Sequence, residues 1–212
     1  MVNGRMAPAE IEKRSFEIIT AELGERTFAP GVAEVVKRVI HTTADFDYAD
    51  NLCFSENAVE QAKKALSARA TVVTDTNMAL AGISKATLAK LGGRALCLMA
   101  DEQVAHEAKA RGVTRATVSM EHAAKRNGPL IFAVGNAPTA LIRLHELIEE
   151  DAVQPALVIG VPVGFVNVVE AKELFLGGNT PYIIARGRKG GSNVAAAIVN
   201  ALLYQLVKRE GF

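Results

Sequence analysis

From residue 70 onward the chain repeats one phrase: a short apolar run, a polar or glycine-rich turn, then a helical pattern. The runs are "ATVVTD" (70–75), "RALCLMA" (94–100), "LIFAVG" (130–135), "ALVIG" (156–160) and "PYIIAR" (181–186). Their shortness and incomplete alternation mark strands buried on both faces, which is the habit of parallel sheets covered by helices. Helices are expected between and after them at 84–91, 102–111, 115–126, 138–149, 168–176 and 192–208. Ser84, Thr139 and Ser192 or Asn193 stand where caps belong. The rhythm predicts an α/β fold: a mostly parallel, doubly wound sheet of about five strands flanked by helices. A length of 212 residues suits one domain spanning 1–212.

An N-terminal helical segment precedes the sheet. Ile11, Ile18, Ile19 and Leu23 recur at helical spacing over 9–23. Val32, Val35, Val36, Val39 and Ile40 follow the i, i+3, i+4, i+7, i+8 pattern after Pro30 and Gly31. Half the residues are hydrophobic but only 5% are aromatic and none is Trp, so aliphatic side chains are expected to fill the core.

The charge balance of +1, with no basic block and no aromatic platform, gives no nucleic-acid footprint. Cys53 and Cys97 form no CxxC motif; two buried thiols are expected rather than a disulfide or zinc site. The most apolar late run is broken by Gly160, Pro162 and Gly164, and "MVNGRMAPAE" has no apolar core, so no membrane span is expected. A soluble, cytoplasmic protein is the expectation.

In an open parallel sheet, ligands gather beyond the carboxyl ends of the strands. Those ends read "DTNMALAGI", "GNAPTALI", "GVPVGFVN" and "RGRKGGSN". Glycines permit close approach of backbone amides, and helix amino termini favour anions, so the loops together are expected to receive carboxylates or phosphates. For any single loop the ordinary explanation is that βα turns are rich in Gly and Pro. In the last, Arg186, Arg188 and Lys189 beside Gly190 and Gly191 suggest an anion clamp. It lacks the GxxxxGK[ST] spacing, and "GNAPTA" is not GxGxxG, so neither ATP nor a dinucleotide is indicated.

"VVKRVIHTTADFDY" (35–48) ends an apolar helical stripe on a histidine. His41 shares the polar side of that helix with Glu34 and Arg38. The helix dipole favours its charged form and Arg38 opposes it. A capping or solvent-facing histidine is the ordinary explanation of such a residue. His106, His122 and His145 lie inside helical patterns, in neither metal-ligand nor triad spacing, and no GxSxG elbow occurs.

The ordered segments "RSFEII" (14–19), "RVIHTT" (38–43), "VVTDTNMALAGI" (72–83), "VGNAPTAL" (134–141), "IGVPVGFV" (159–166) and "ARGRKGGS" (185–192) resemble the precorrin-8X (cobalt-precorrin-8) methylmutases of vitamin B12 biosynthesis over nearly the whole chain. The resemblance implies an isomerase that moves a methyl group within ring C of a corrin-type macrocycle, giving hydrogenobyrinate or cobyrinate. It makes His41 the catalytic acid. It places substrate contacts at Ser15, Arg38 and Arg115; Asn136, Arg186, Arg188 and Gly190 are added from the sheet-edge argument. No cofactor and no catalytic metal are implied. The implied partners are a tetrapyrrole bearing several carboxylate arms, a second copy in a homodimer that helps close the site, and neighbouring pathway enzymes receiving the product. A non-catalytic carrier of tetrapyrrole intermediates is the alternative.

Overall fold

The computed structural model describes residues 7–208. Helices α1 (Pro8–Leu23) and α2 (Val32–Thr43) come first, followed by a single turn α3 (Tyr48–Asn51), strand β1 (Leu52–Phe54) and α4 (Ala58–Ser67). The repeated phrase then runs β2 (Thr71–Thr74), α5 (Asn77–Gly82), α6 (Lys85–Lys90), β3 (Arg94–Cys97), α7 (Glu102–Arg111), α8 (Arg115–Ala124), β4 (Leu130–Val134) and α9 (Pro138–Glu149). It closes with β5 (Leu157–Gly160), α10 (Val168–Glu173), β6 (Tyr182–Ala185) and α11 (Ser192–Leu206).

The six strands lie in the order β1-β6-β5-β4-β2-β3. All neighbours are parallel except β1, which pairs antiparallel with β6, Leu52 opposite Ala185. The five expected strands form the parallel part; β1 is the addition. From β2 the chain steps outward to β3, then returns across β2 to β4. The strand order therefore reverses between β2 and β4, the place where such sheets usually hold a ligand.

Alternate strand residues feed two cores. Val72, Ile131, Ala133, Leu157, Ile159 and Ile183 pack under α2, α4, α5 and α11, with α1 lying over α2. Val73, Phe132, Val134, Val158 and Ile184 pack under α8, α9 and α10. Residues 71–74 and 130–134 are buried throughout, as strands covered on both faces must be.

Several local expectations are corrected. "DTNMALAGI" is not only a loop: Thr76 Oγ1 accepts from the Ala79 amide and starts α5. Helix α9 is capped by Ala137 with Pro138 in the first turn, not by Thr139, and α11 by Gly191, with Ser192 and Asn193 already helical. Ser84 does precede α6, but its hydroxyl pairs with Thr87 Oγ1 at 2.8 Å rather than with a backbone amide. Cys53 and Cys97 are free, but half-buried rather than buried. Among the described residues no helix is long and apolar enough to cross a membrane.

Candidate active site

Helix α2 buries Val35, Val36, Val39 and Ile40, so the opposite side is left for Glu34, Arg38 and His41. Burial of such side chains contributes about 1.5–3 kcal/mol each, which fixes the helix's rotation and hence where its polar residues emerge. His41 stands in the last turn, exposed, and Ala44 ends the helix in the left-handed conformation with its amide on the Ile40 carbonyl at 2.7 Å.

Helix α1 crosses over this region. Its Phe16 ring stacks on the His41 imidazole, centroids 5.2 Å apart and planes 13° from parallel. The Arg38 guanidinium carbon lies 4.6 Å from the same Phe16 ring centre and 5.2 Å from that of Tyr204 on α11. Glu12 of α1 is the ion-pair partner of Arg38, at 2.5 Å.

Three hollows meet here. One of about 440 Å³ lies between α1, α2 and α11, with Glu12, Phe16, Arg38 and Tyr204 in its walls. A second, about 270 Å³, runs between α2, the end of α5 and α11; Gly82, Ala196 and Ala197 line it with Arg38, His41 and Asn200. The third, also about 270 Å³, joins Ser15, Ile19 and Glu22 of α1 to His41 and Phe46. His41 borders two of them. An apolar, small-residue surface beside an arginine–glutamate ion pair and an imidazole is suited to an anionic ligand with an apolar body.

The carboxyl edge of the sheet is organised differently. Asp75, at the end of β2, is buried and accepts from the Gly135, Asn136 and Ala137 amides at 2.8, 2.8 and 2.6 Å. Burial pushes its carboxyl pKa up, while those amides pull it down. The reversal point is thus filled by the chain's own carboxylate. This corrects the expectation that the amides of "GNAPTALI" meet a ligand anion: they are already met.

The β6–α11 loop is also tied internally. Lys189 is paired with Asp45 and Asp47, at 2.6 Å each, so it joins the loop to the turn just after His41's helix rather than forming an open clamp. Lys172 of α10, fully buried, donates to the Gly187 and Lys189 carbonyls at 2.8 Å. Desolvation lowers its pKa to about 8. At Gly190 a Cβ would fall 2.1 Å from the Val161 carbonyl oxygen. The close approach expected there is to the chain's own β5–α10 loop.

The expected site residues therefore divide. Ser15, Arg38 and His41 share the hollows between α1, α2 and α11; the Ser15 hydroxyl donates to the Ile11 carbonyl at 2.9 Å. Arg186, Arg188 and Asn136 are exposed on the rim, and Arg188 lies 5.4 Å over the Phe165 ring. Arg115 opens α8 in the other layer, beside Thr114, whose hydroxyl meets Thr139 at 3.0 Å. Among the described residues no group of three or more His, Cys, Asp or Glu could hold a metal ion.

Residues 10–205 match the profile of the family described as precorrin-8X methylmutase. The chain belongs to this family. It is 47% identical over 205 residues to the cobalt-precorrin-8 methylmutase of Salmonella typhimurium, covering 94% of this chain and 96% of that protein. It is 37% identical to the precorrin-8X methylmutase of Pseudomonas aeruginosa, with coverages of 91% and 93%. The solved precorrin-8X methylmutase of Thermus thermophilus superposes with a TM-score of 0.85 at 40% identity, covering 92% of this chain and 94% of that one.

Within this methylmutase chain, sequence reasoning passed over Phe16, Tyr204, Asp75 and Lys172. Phe16 stood in the quoted "RSFEII", and Asp75 followed a strand directly, where a carboxylate reaches the next strand's amides. Lys172 left a fainter trace, as a lone cation in the apolar-flanked "VVEAKELF".

Proposed function

We propose that this protein isomerises a precorrin-8X or cobalt-precorrin-8 macrocycle by moving one methyl group within ring C, with His41 as general acid. The observation that carries the reading is the exposed His41 imidazole at the meeting of hollows walled by Arg38, Ser15 and small residues, in a chain of the methylmutase family. A 1,5-sigmatropic methyl shift is helped when the conjugated system is polarised. A protonated His41 donating to a ring nitrogen supplies that polarisation, and acid catalysis of this kind contributes about 10² to 10⁴-fold. The reaction conserves every atom and electron of the substrate, so neither a methyl donor nor a redox partner enters the balance. Holding the macrocycle in one conformation supplies the remainder.

Arg38 receives a carboxylate arm by exchanging its Glu12 partner, and Arg186 and Arg188, with Asn136, meet arms reaching the rim. Gly190 acts indirectly, by letting the loop that carries those arginines close on Val161. Arg115, in the opposite layer from His41, reaches the same ligand from a second copy in a homodimer. Exposed apolar side chains on the rim, Met78 at 71%, Phe165 at 81% and Val166 at 77%, favour a covered edge. Light scattering should then give twice 22.5 kDa; a mass of one chain would remove the dimer. Product passes to neighbouring pathway enzymes.

An absorbance time course with mass analysis, using the substrate with and without cobalt, tests the reaction. A spectral change at unchanged mass supports the isomerase. Stoichiometric binding without change would make the protein a carrier.

A further inference from the structure

One aromatic ring touches both cationic tools of the site. Phe16 stacks on His41 and also lies 4.6 Å from the Arg38 guanidinium carbon. We propose that Phe16 is a positioning residue of the reaction, fixing the His41 ring plane and the Arg38 guanidinium relative to one another before substrate arrives. This rests on the reading of His41 as the acid and Arg38 as a substrate contact.

The geometry explains why such a device is needed. His41 emerges in the last turn of α2 and is exposed; restricting the rotamers of an exposed imidazole before substrate arrives spares that ordering cost on binding. Arg38, one turn earlier, has a longer and more mobile side chain. An aromatic face constrains both, because a guanidinium is attracted to its π cloud and a parallel imidazole stacks on it. The ring itself is well anchored. Glu12, Phe16, Ile19 and Leu23 follow one another at spacings of four, three and four along α1; Ile19 and Leu23 are buried, and Glu12 pairs with Arg38 across α1 and α2. The face of α1 that holds the two helices together therefore also carries the ring. Tyr204, 5.2 Å from the guanidinium carbon, supports Arg38 from α11, while the Phe16 ring meets both the guanidinium and the imidazole.

The test compares Phe16→Leu, which keeps apolar bulk, with Phe16→Tyr, which keeps the ring. In the substrate-free protein the imidazole C–H signals of His41, assigned by their loss in His41→Ala, are expected upfield from ring current. They should return to ordinary positions in Phe16→Leu and remain upfield in Phe16→Tyr. With precorrin-8-type substrate, Phe16→Leu should lower the single-turnover rate about tenfold and weaken binding, with Phe16→Tyr restoring both. Ordinary His41 signals in the wild type would overturn the stack, whatever the reaction proves to be. An unshifted single-turnover rate in Phe16→Leu, or a Phe16→Tyr as impaired as Phe16→Leu, would overturn the positioning role. Because the spectroscopic arm needs no turnover, failure of the isomerase reading is distinguished from failure of this one.

Discussion

The groove around His41 and the carboxyl edge of the sheet carry similar residue types and use them in opposite ways. At the edge, polar groups are spent on the chain itself: Asp75 answers three amides, Lys172 answers two carbonyls, and Lys189 answers Asp45 and Asp47. In the groove, His41 is exposed, and Arg38 rests against aromatic rings with a carboxylate partner that a ligand carboxylate can replace. A buried polar group without a partner costs about 1–3 kcal/mol, so the edge is stable because it is satisfied. Its contribution is to hold the rim and the end of α2 in place. On the proposed reading, the chemistry belongs to the surface where α1, α2 and α11 meet.

Substitutions can break this division. The largest effect is expected from His41→Ala, which should slow methyl migration by about 10² to 10⁴-fold while leaving the melting temperature unchanged. Asp75→Ala should do the reverse. It leaves three amides at the start of α9 unanswered and should cost about 3 kcal/mol or more in a denaturant titration. A variant of Asp75 that folds normally but no longer binds substrate would move the site to the edge.

Lys172 sharpens the comparison through pH. Its folded pKa of about 8 lies below the ordinary lysine value of about 10.4, so the folded state releases this proton first. Between these values the unfolded chain binds more protons, and stability rises with pH. The burial penalty is fully present below about pH 8 and relieved as pH approaches 10, by at most roughly 3 kcal/mol. Lys172→Met should abolish that rise in urea unfolding curves measured from pH 7 to 10. Smaller again is Arg38→Ala, expected to weaken substrate binding about tenfold, the scale of one charge-assisted contact. Arg188→Ala, on the exposed rim, should change binding by no more than about threefold; equilibrium absorbance titrations measure both.

Much of the frame was legible because buried parallel strands announce themselves. "TVVT", "LIFAV" and "LVIG" have no polar face to confuse them, and α2's valine stripe has the helical period. What escaped had weaker signals. In α4 the buried positions 58, 59, 62, 65 and 66 are mostly alanine, whose small apolar surface gives a faint periodicity. Strand β1 has three residues and owes its existence to β6. Helix α5 has six residues ending in glycine, so it reads as a turn until Thr76 is seen to cap it.

In the site, His41 and Arg38 share one helix, and their common face follows from spacing. The roles of Phe16 and Asp75 depend on what lies across from them. A carboxylate beyond a strand reads as a ligand contact or a self-made anion with equal ease, and only the partner strand's amides decide. The glycines of "RGRKGGSN" illustrate the same ambiguity. Close approach was legible at Gly190; that the approaching atom is the Val161 oxygen was not.

The central claim is that the methyl shift is driven from the groove by His41. Its most direct test is the single-turnover rate of bound substrate in wild type and His41→Ala, followed by visible absorbance at unchanged mass. Retained binding with a rate at least about a hundredfold lower in His41→Ala is the result expected. An equal rate in the two proteins would contradict the account.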